Sequence, residues 1–182
     1  PDYFEEDFEH YGISKAKSTL IPGAQSASKI VAGESDDPVS EEEHKRFRKS
    51  VGKLLWIVPI RPDIAYATKE LSRSLVQPKR SCISKLKYLL KYLKGTKSYK
   101  LMVRAEFQLP SGQVPTLDLD FYVYSDWAGC QMTRRSTTGF VVYFLGSIFQ
   151  FASRTQATPG LSSSEAELYA IGTGSSEGIS IR

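Results

Sequence analysis

"YSDWAGCQMTRRSTTGF", residues 124–140, decides how the C-terminal half folds. It follows "LDLDFYVY", residues 117–124, where Leu117, Leu119, Phe121 and Val123 alternate with Asp118, Asp120, Tyr122 and Tyr124. That period of two is the mark of a half-buried strand, with Asp118 and Asp120 toward solvent. The strand delivers one carboxylate, Asp126, to its tip. A polar connector follows, with Gly129 and Gly139 to turn the chain and Arg134 and Arg135 beside them. "TGFVVYFLG" and "SIFQFAS" then read as second and third strands of a meander. "LSSSEAELYAIG" reads as a helix start: Ser162 with Glu165 fits a capping box, and so does Ser164 with Glu167. The spacing predicts a β-β-β-α unit, the opening of an α+β or an α/β fold. Glycine-rich "GTGSSEG", residues 172–178, is expected to loosen or end the helix.

Upstream the period changes from two to 3.6. Phe47, Val51, Leu54, Leu55 and Val58 share one helical face, with Glu41 to Glu43 in the first turn and Pro59 at the end. Pro62 opens a second helix with Ile64, Ala67, Thr68, Leu71 and Leu75 on one side, expected to close before Pro78. The third, "SCISKLKYLLKYLKG", aligns Ile83, Leu86, Leu89, Leu90 and Leu93 and stops at Gly95. Residues 2–11 suggest a short helix cut off by Gly12, and 14–40 a Ser-, Ala-, Gly- and Pro-rich linker or extended arm. "LPSGQVP", residues 109–115, reads as a hinge. These patterns divide the chain into an acidic leader and linker (1–40), a helical segment (41–108) and a strand-rich segment (116–182).

Charge is distributed unevenly. The net charge is +4, but residues 1–43 carry eleven acids against three bases and residues 44–182 nine against twenty-one. A basic body with an acidic leader suits a polyanionic partner. From Lys79 to Lys100 there are eight Lys or Arg and no acid. Lys85, Lys87, Lys91 and Lys94, interleaved with Tyr88 and Tyr92, are therefore candidate nucleic-acid contacts: lysines for phosphates, tyrosines for sugars. Arg134 and Arg135 are further candidates. The competing reading is a solvated lysine face, which lacks the compensating Glu expected at i±4.

Two cysteines, Cys82 and Cys130, give no metal-type spacing, and His10 and His44 form no zinc or triad pattern. No apolar run is long enough to span a membrane. A reducing, intracellular setting is the expectation. The first residue is Pro, not Met, and "EGISIR" carries no clear helix cap, so both ends look like cuts from a longer protein.

"VGKLLWIVPIRPDIAYATKELSR", "LKYLLKYLKGT", "YSDWAGC…TRRSTTGFVVYFLG" and "LSSSEAELYAI" occur in the order seen in the Pol polyprotein of copia-type LTR retrotransposons, which the chain resembles over nearly its whole length. The resemblance implies that 41–108 is the helical connection after a reverse transcriptase region and that 116–182 is the N-terminal half of an RNase H-like domain. It implies hydrolysis of the RNA strand of RNA–DNA hybrids with two Mg²⁺ ions held between carboxylates. Asp126 matches the first of these by position. Glu167, in "AEL", matches the second, leaving Glu165 to the capping box; two apart on a helix, they face about 200° from each other. The implied partners are the hybrid and the rest of the Pol polyprotein, in the cytoplasm (a virus-like particle) or the nucleus. Where the family shows "YSDADWAG", this chain has "YSDWAG", two residues shorter and one Asp poorer. Only Glu177 follows Glu167 among acids. The expectation is an incomplete site, inactive in this chain alone, with a non-catalytic nucleic-acid-binding remnant as the alternative.

Overall fold

The computed structural model describes residues 2–23, 37–103, 119–130 and 133–181. The chain forms two compact units, Pro1–Lys100 and Leu101–Arg182. The hinge at 109–115, Leu117, Asp118 and residues 24–36 of the expected linker lie outside the described residues. Helices in the first unit and a three-stranded antiparallel sheet with one helix in the second make an α+β protein.

In the first unit, α1 spans Glu5–His10, α2 Glu41–Ile57, α3 Ala65–Ser72 and α4 Arg80–Gly95. Ser40 starts α2 with a complete capping box: its side chain accepts from the Glu43 N–H, and the Glu43 carboxylate accepts from the Ser40 N–H. The second helix is shorter than its sequence pattern suggests. Pro62–Ile64 form a 3-10 turn and α3 ends at Ser72. Residues 2–13 are not a detached leader. Phe4, Phe8 and Ile13 are buried in one core with Phe47, Val51 and Leu86. Their acids face lysines of α2 and of the turn after α4: Asp7 pairs with Lys53 at 2.6 Å, Glu6 with Lys49 at 2.8 Å, and Glu5 with Lys97. The apolar spacing of "YFEEDFEH" had been masked by its charge.

Arg61, in "RPDIAYA", is buried. Its guanidinium donates to both Asp63 oxygens (2.9 and 2.7 Å), to the Thr96 carbonyl (3.1 Å) and to Thr96 Oγ1 (2.8 Å). The Tyr92 hydroxyl donates to Asp63 Oδ2 at 2.8 Å. One planar cation thus ties the α2–α3 corner to the end of α4, and every polar atom it meets is paired. Burial alone would raise the Asp63 pKa; hydrogen bonds from Arg61 and Tyr92 outweigh it and hold the carboxyl below its usual range.

Arg61→Met is expected to destabilise this unit by about 2 kcal/mol in urea denaturation, because it takes the donor away from the buried Thr96 carbonyl and hydroxyl. Tyr92→Phe should cost about 1 kcal/mol. Asp63's folded pKa lies below its unfolded value of about 3.9. Its contribution is therefore full above about pH 4 and is lost as the pH falls through the folded value. A wild type whose stability is flat between pH 5 and 2 would contradict this.

In the second unit, β1 (Leu119–Ser125), β2 (Thr137–Phe144) and β3 (Ser147–Thr155) form a meander in the order β1-β2-β3. Val123 opposes Phe140 and Ser125 opposes Thr138. Leu145 and Gly146, with φ of +50° and +73°, make the two-residue turn between β2 and β3. Helix α5, Ser163–Ile181, covers one sheet face. Ala166, Ala170 and Gly174, spaced by four, are its buried residues. A Cβ on Gly174 would sit 2.6 Å from Val123 Cγ2, and one on Gly178 2.9 Å from the Phe121 ring. The expectation that "GTGSSEG" loosens or ends the helix is corrected here. The helix runs through it, and these glycines let it lie close against β1.

The two glycines at 172 and 174 should respond with opposite signs. Gly172 has open space where a Cβ would go. Gly172→Ala should stabilise the unit by about 0.5–1 kcal/mol through helix propensity, whereas Gly174→Ala should destabilise it by about 1–3 kcal/mol through overpacking. Thermal melts of the two variants read the difference.

Candidate active site

The site is built at the end of β1. Asp126 follows the last strand residue, donates its N–H to the Thr137 carbonyl at 3.1 Å, and accepts the Thr137 N–H on its Oδ1. Its side chain thus closes the β1–β2 ladder. Oδ2 faces Gly129, where a Cβ would lie 2.0 Å away, so only glycine fits beside this carboxylate. On the other edge of β1, the Ser125 N–H points away from β2. Glu167 Oε2 accepts it at 3.1 Å. Two carboxylates from adjacent positions in space therefore accept backbone N–H groups of neighbouring strands, Asp126 that of Thr137 on β2 and Glu167 that of Ser125 on β1. Asp126 Oδ2 and Glu167 Oε1 carry no hydrogen bond among the described residues.

Glu165 is engaged elsewhere. Its N–H donates to Ser162 Oγ at 3.1 Å, its Oε2 accepts the Leu161 N–H at 2.7 Å, and its Oε1 accepts the Tyr169 hydroxyl at 2.9 Å. It caps the helix start, reaching one residue further back than a standard capping box does. Glu177, nearly three turns along, binds Arg154 and Gln150, and the Arg154 hydrogen bond holds its carboxyl below the usual range. Among the described residues no three His, Cys, Asp or Glu side chains gather as a metal-binding cluster.

Behind the carboxylates lies a buried polar layer that sequence reading missed. The Gln156 amide donates to Thr138 Oγ1 (3.1 Å) and to the Ala166 carbonyl (2.8 Å), fastening the sheet to the first turn of α5. Ser136 Oγ accepts the Ala128 N–H at 3.0 Å. Ser125 Oγ and Gln156 Oε1 are buried without a hydrogen-bond partner among the described residues. A lone Gln after a strand carries no pattern that would have flagged it. The described parts of the connector, 127–130 and 133–136, are tied to this layer and to each other. The Arg134 N–H donates to the Cys130 carbonyl at 2.7 Å, and the Cys130 N–H to the Arg135 carbonyl at 3.1 Å. Both arginine side chains are exposed and have no acidic partner among the described residues.

The candidate contacts on α4 divide. Lys85 and Lys87 are exposed, Lys91 and Tyr88 half-buried, and none has an acidic partner among the described residues. Tyr92 and Lys94 are corrections. Tyr92 is buried and spends its hydroxyl on Asp63. Lys94 donates to three carbonyls, of Ile13 (3.3 Å), Ser14 (2.7 Å) and Ala16 (3.0 Å). The polar half of an amphipathic helix need not face solvent when another segment lies along it. His44 is likewise a structural residue, its Nε2 lying 2.8 Å from the Leu75 carbonyl.

The chain is 33% identical over 131 residues to the retrovirus-related Pol polyprotein from transposon RE1 of Arabidopsis thaliana, covering 72% of this chain and 8% of that protein. It is 29% identical over 171 residues to the corresponding polyprotein from transposon TNT 1-94 of Nicotiana tabacum, covering 92% of this chain and 12% of that one. It belongs to the Pol polyproteins of copia-type retrotransposons. An uncharacterized mitochondrial protein of Arabidopsis thaliana is 34% identical over 171 residues, 93% of this chain and 65% of that protein. The chain thus spans less than two thirds of each of these relatives. No family model and no solved structure matches it. Among the described residues of this Pol segment, no helix is long and apolar enough to cross a membrane.

Gln156→Ala is expected to destabilise the second unit by about 2 kcal/mol, since it removes two buried hydrogen bonds, to Thr138 Oγ1 and to the Ala166 carbonyl. Glu165→Ala should cost about 1 kcal/mol as a lost cap. Equal stability of both variants to wild type in thermal melts would contradict the described packing.

Proposed function

We propose that this Pol segment joins the end of a reverse transcriptase region to an RNase H-like domain, and that Asp126 and Glu167 are the first two carboxylates of that domain's site. The intact domain would hydrolyse the RNA strand of RNA–DNA hybrids. The observation that carries this reading is the position of Glu167: it reaches the strand backbone beside Asp126 while Glu165 is spent on the helix cap. Lys85, Lys87 and Lys91 on α4, and Arg134 and Arg135 in the connector, would contact phosphates.

The two carboxylates suit Mg²⁺. They are hard oxygen donors, each with one uncommitted oxygen, and Mg²⁺ binds readily to one or two carboxylates with waters and substrate phosphate. Bound there, the ion would supply an activated water and stabilise a leaving oxygen. A pair of ions needs more acids than the described residues bring together. The chain's own residues position phosphate, hold the two carboxylates at the strand end and keep the ladder closed around them.

Hybrid binding followed by fluorescence anisotropy tests the reading by sign. Without divalent ions, Asp126→Asn with Glu167→Gln should strengthen binding, because two negative charges leave the site. With Mg²⁺ at constant ionic strength, the same variant should bind a few-fold more weakly than wild type. No reversal of sign would favour the non-catalytic nucleic-acid-binding remnant, a reading that rests on the small number of acids near the site. This chain alone should not cleave the hybrid; cleavage abolished by Asp126→Asn would overturn the incomplete site. Lys85→Gln, Lys87→Gln and Lys91→Gln together should lower the slope of log K against log salt by roughly 0.9 per lost phosphate contact.

A further inference from the structure

We propose that Trp127 is a platform on which a nucleotide of the polynucleotide substrate rests, beside the Asp126–Glu167 carboxylates. The inference deepens the reading above and rests on it. Trp127 is 54% exposed although it adjoins a buried position, Ala128. Ala128 adopts φ of +51°, a left-handed conformation uncommon outside glycine, asparagine and aspartate. Its N–H is tied to Ser136 Oγ. The connector is thus folded so that the small residue goes in and the indole goes out, the reverse of what burial alone favours.

The indole is also anchored. Its Nε1–H donates to the Gly160 carbonyl at 3.2 Å, in the loop before α5. The ring's one polar atom is satisfied along its edge, while much of the ring stays open to solvent. An aromatic surface held in this way loses little conformational freedom when something packs on it. By contrast, Trp56, the chain's other tryptophan, is 78% exposed on α2 and has no hydrogen bond from its indole among the described residues.

The surroundings name the ligand class. Asp126 precedes the ring, and Arg134 and Arg135, both exposed, belong to the same connector. Guanidinium groups match phosphate oxygens in pairs. An apolar plate matches a sugar edge or base face. Flat apolar surface and anion recurring along one ligand is the chemistry of a polynucleotide. In a paired RNA–DNA hybrid the surface offered to the plate is the sugar edge.

Trp56→Phe leaves Trp127 as the single indole reporter without touching the site. Titrated with an RNA–DNA hybrid of about 16 base pairs at low salt, this variant should lose a large part of its emission. The reciprocal Trp127→Phe protein, reporting from Trp56, should change little. In anisotropy, Trp127→Ala should weaken binding by about fivefold, less than the roughly tenfold or more of a lost base-stacking partner because the contact is to a sugar edge, and Trp127→Phe by less than threefold. Phenylalanine keeps a ring face but lacks the Nε1–H, so a merely structural role through Gly160 would impair both variants alike. Binding of the hybrid with unchanged Trp127 emission would overturn the platform and leave the proposed function standing. No binding by the Trp56→Phe protein or by wild type would remove both.

Discussion

The close approach of α5 to β1 is the constraint on which the candidate site depends. Gly174 lies on Val123 and Gly178 lies near the Phe121 ring, so the helix axis is fixed in both distance and register. Positions 167, 170, 174 and 178 share a helical face. Once 174 and 178 are seated on the strand, Glu167 has to arrive at Ser125, and it does so at hydrogen-bonding distance. Glu165 is rotated away and caps the helix start. The choice between two glutamates is therefore made by small residues two and three turns further along. Glutamine 156 adds a polar strut at the near end, so the first turn of α5 is held from both sides.

The first unit is organised by a different kind of contact. Its helices bury an apolar stripe each, as amphipathic helices do, but its corners are set by charge. Arg61 joins one corner to the end of α4 through a fully paired cluster. Lys94 does the same for the stretch after α1, placing one ammonium among three carbonyls. Such contacts are costly to break where the partner left behind is buried, as the Thr96 carbonyl is.

Much of this was legible in the sequence. The period of two over residues 119–123 gave β1, the acids Glu41 to Glu43 in a first turn gave the start of α2, and the apolar face of α4 emerged nearly residue for residue. Membership of the Pol family was readable from motif order. What was hidden shares one cause: a residue type was judged by its usual behaviour while a distant segment decided its environment. Lys94 and Tyr92 read as solvent-facing because a period of 3.6 cannot show that residues 13–16 and Asp63 cover them. Glycines 174 and 178 read as helix breakers because only the strand opposite reveals a need for close packing. Residues 2–13 read as a leader because five acids obscured Phe4, Phe8 and Ile13. Gln156 gave no signal at all.

The ion pairs of those first residues bear on how the protein behaves as a polyelectrolyte. Residues 44–182 carry twelve more bases than acids. Lys49, Lys53 and Lys97 face Glu6, Asp7 and Glu5, and Lys94 is occupied by carbonyls. The three lysines paired with carboxylates hold less of the layer of mobile anions that is shed when a polyanion arrives. The leader acts as a built-in counterion for part of the body, so the entropy of counterion release available to the first unit comes from a smaller set of lysines than a count along the sequence suggests. Salt acts on both kinds of contact: it competes for the lysines that remain free and screens the exposed pairs that hold residues 5–7 in place.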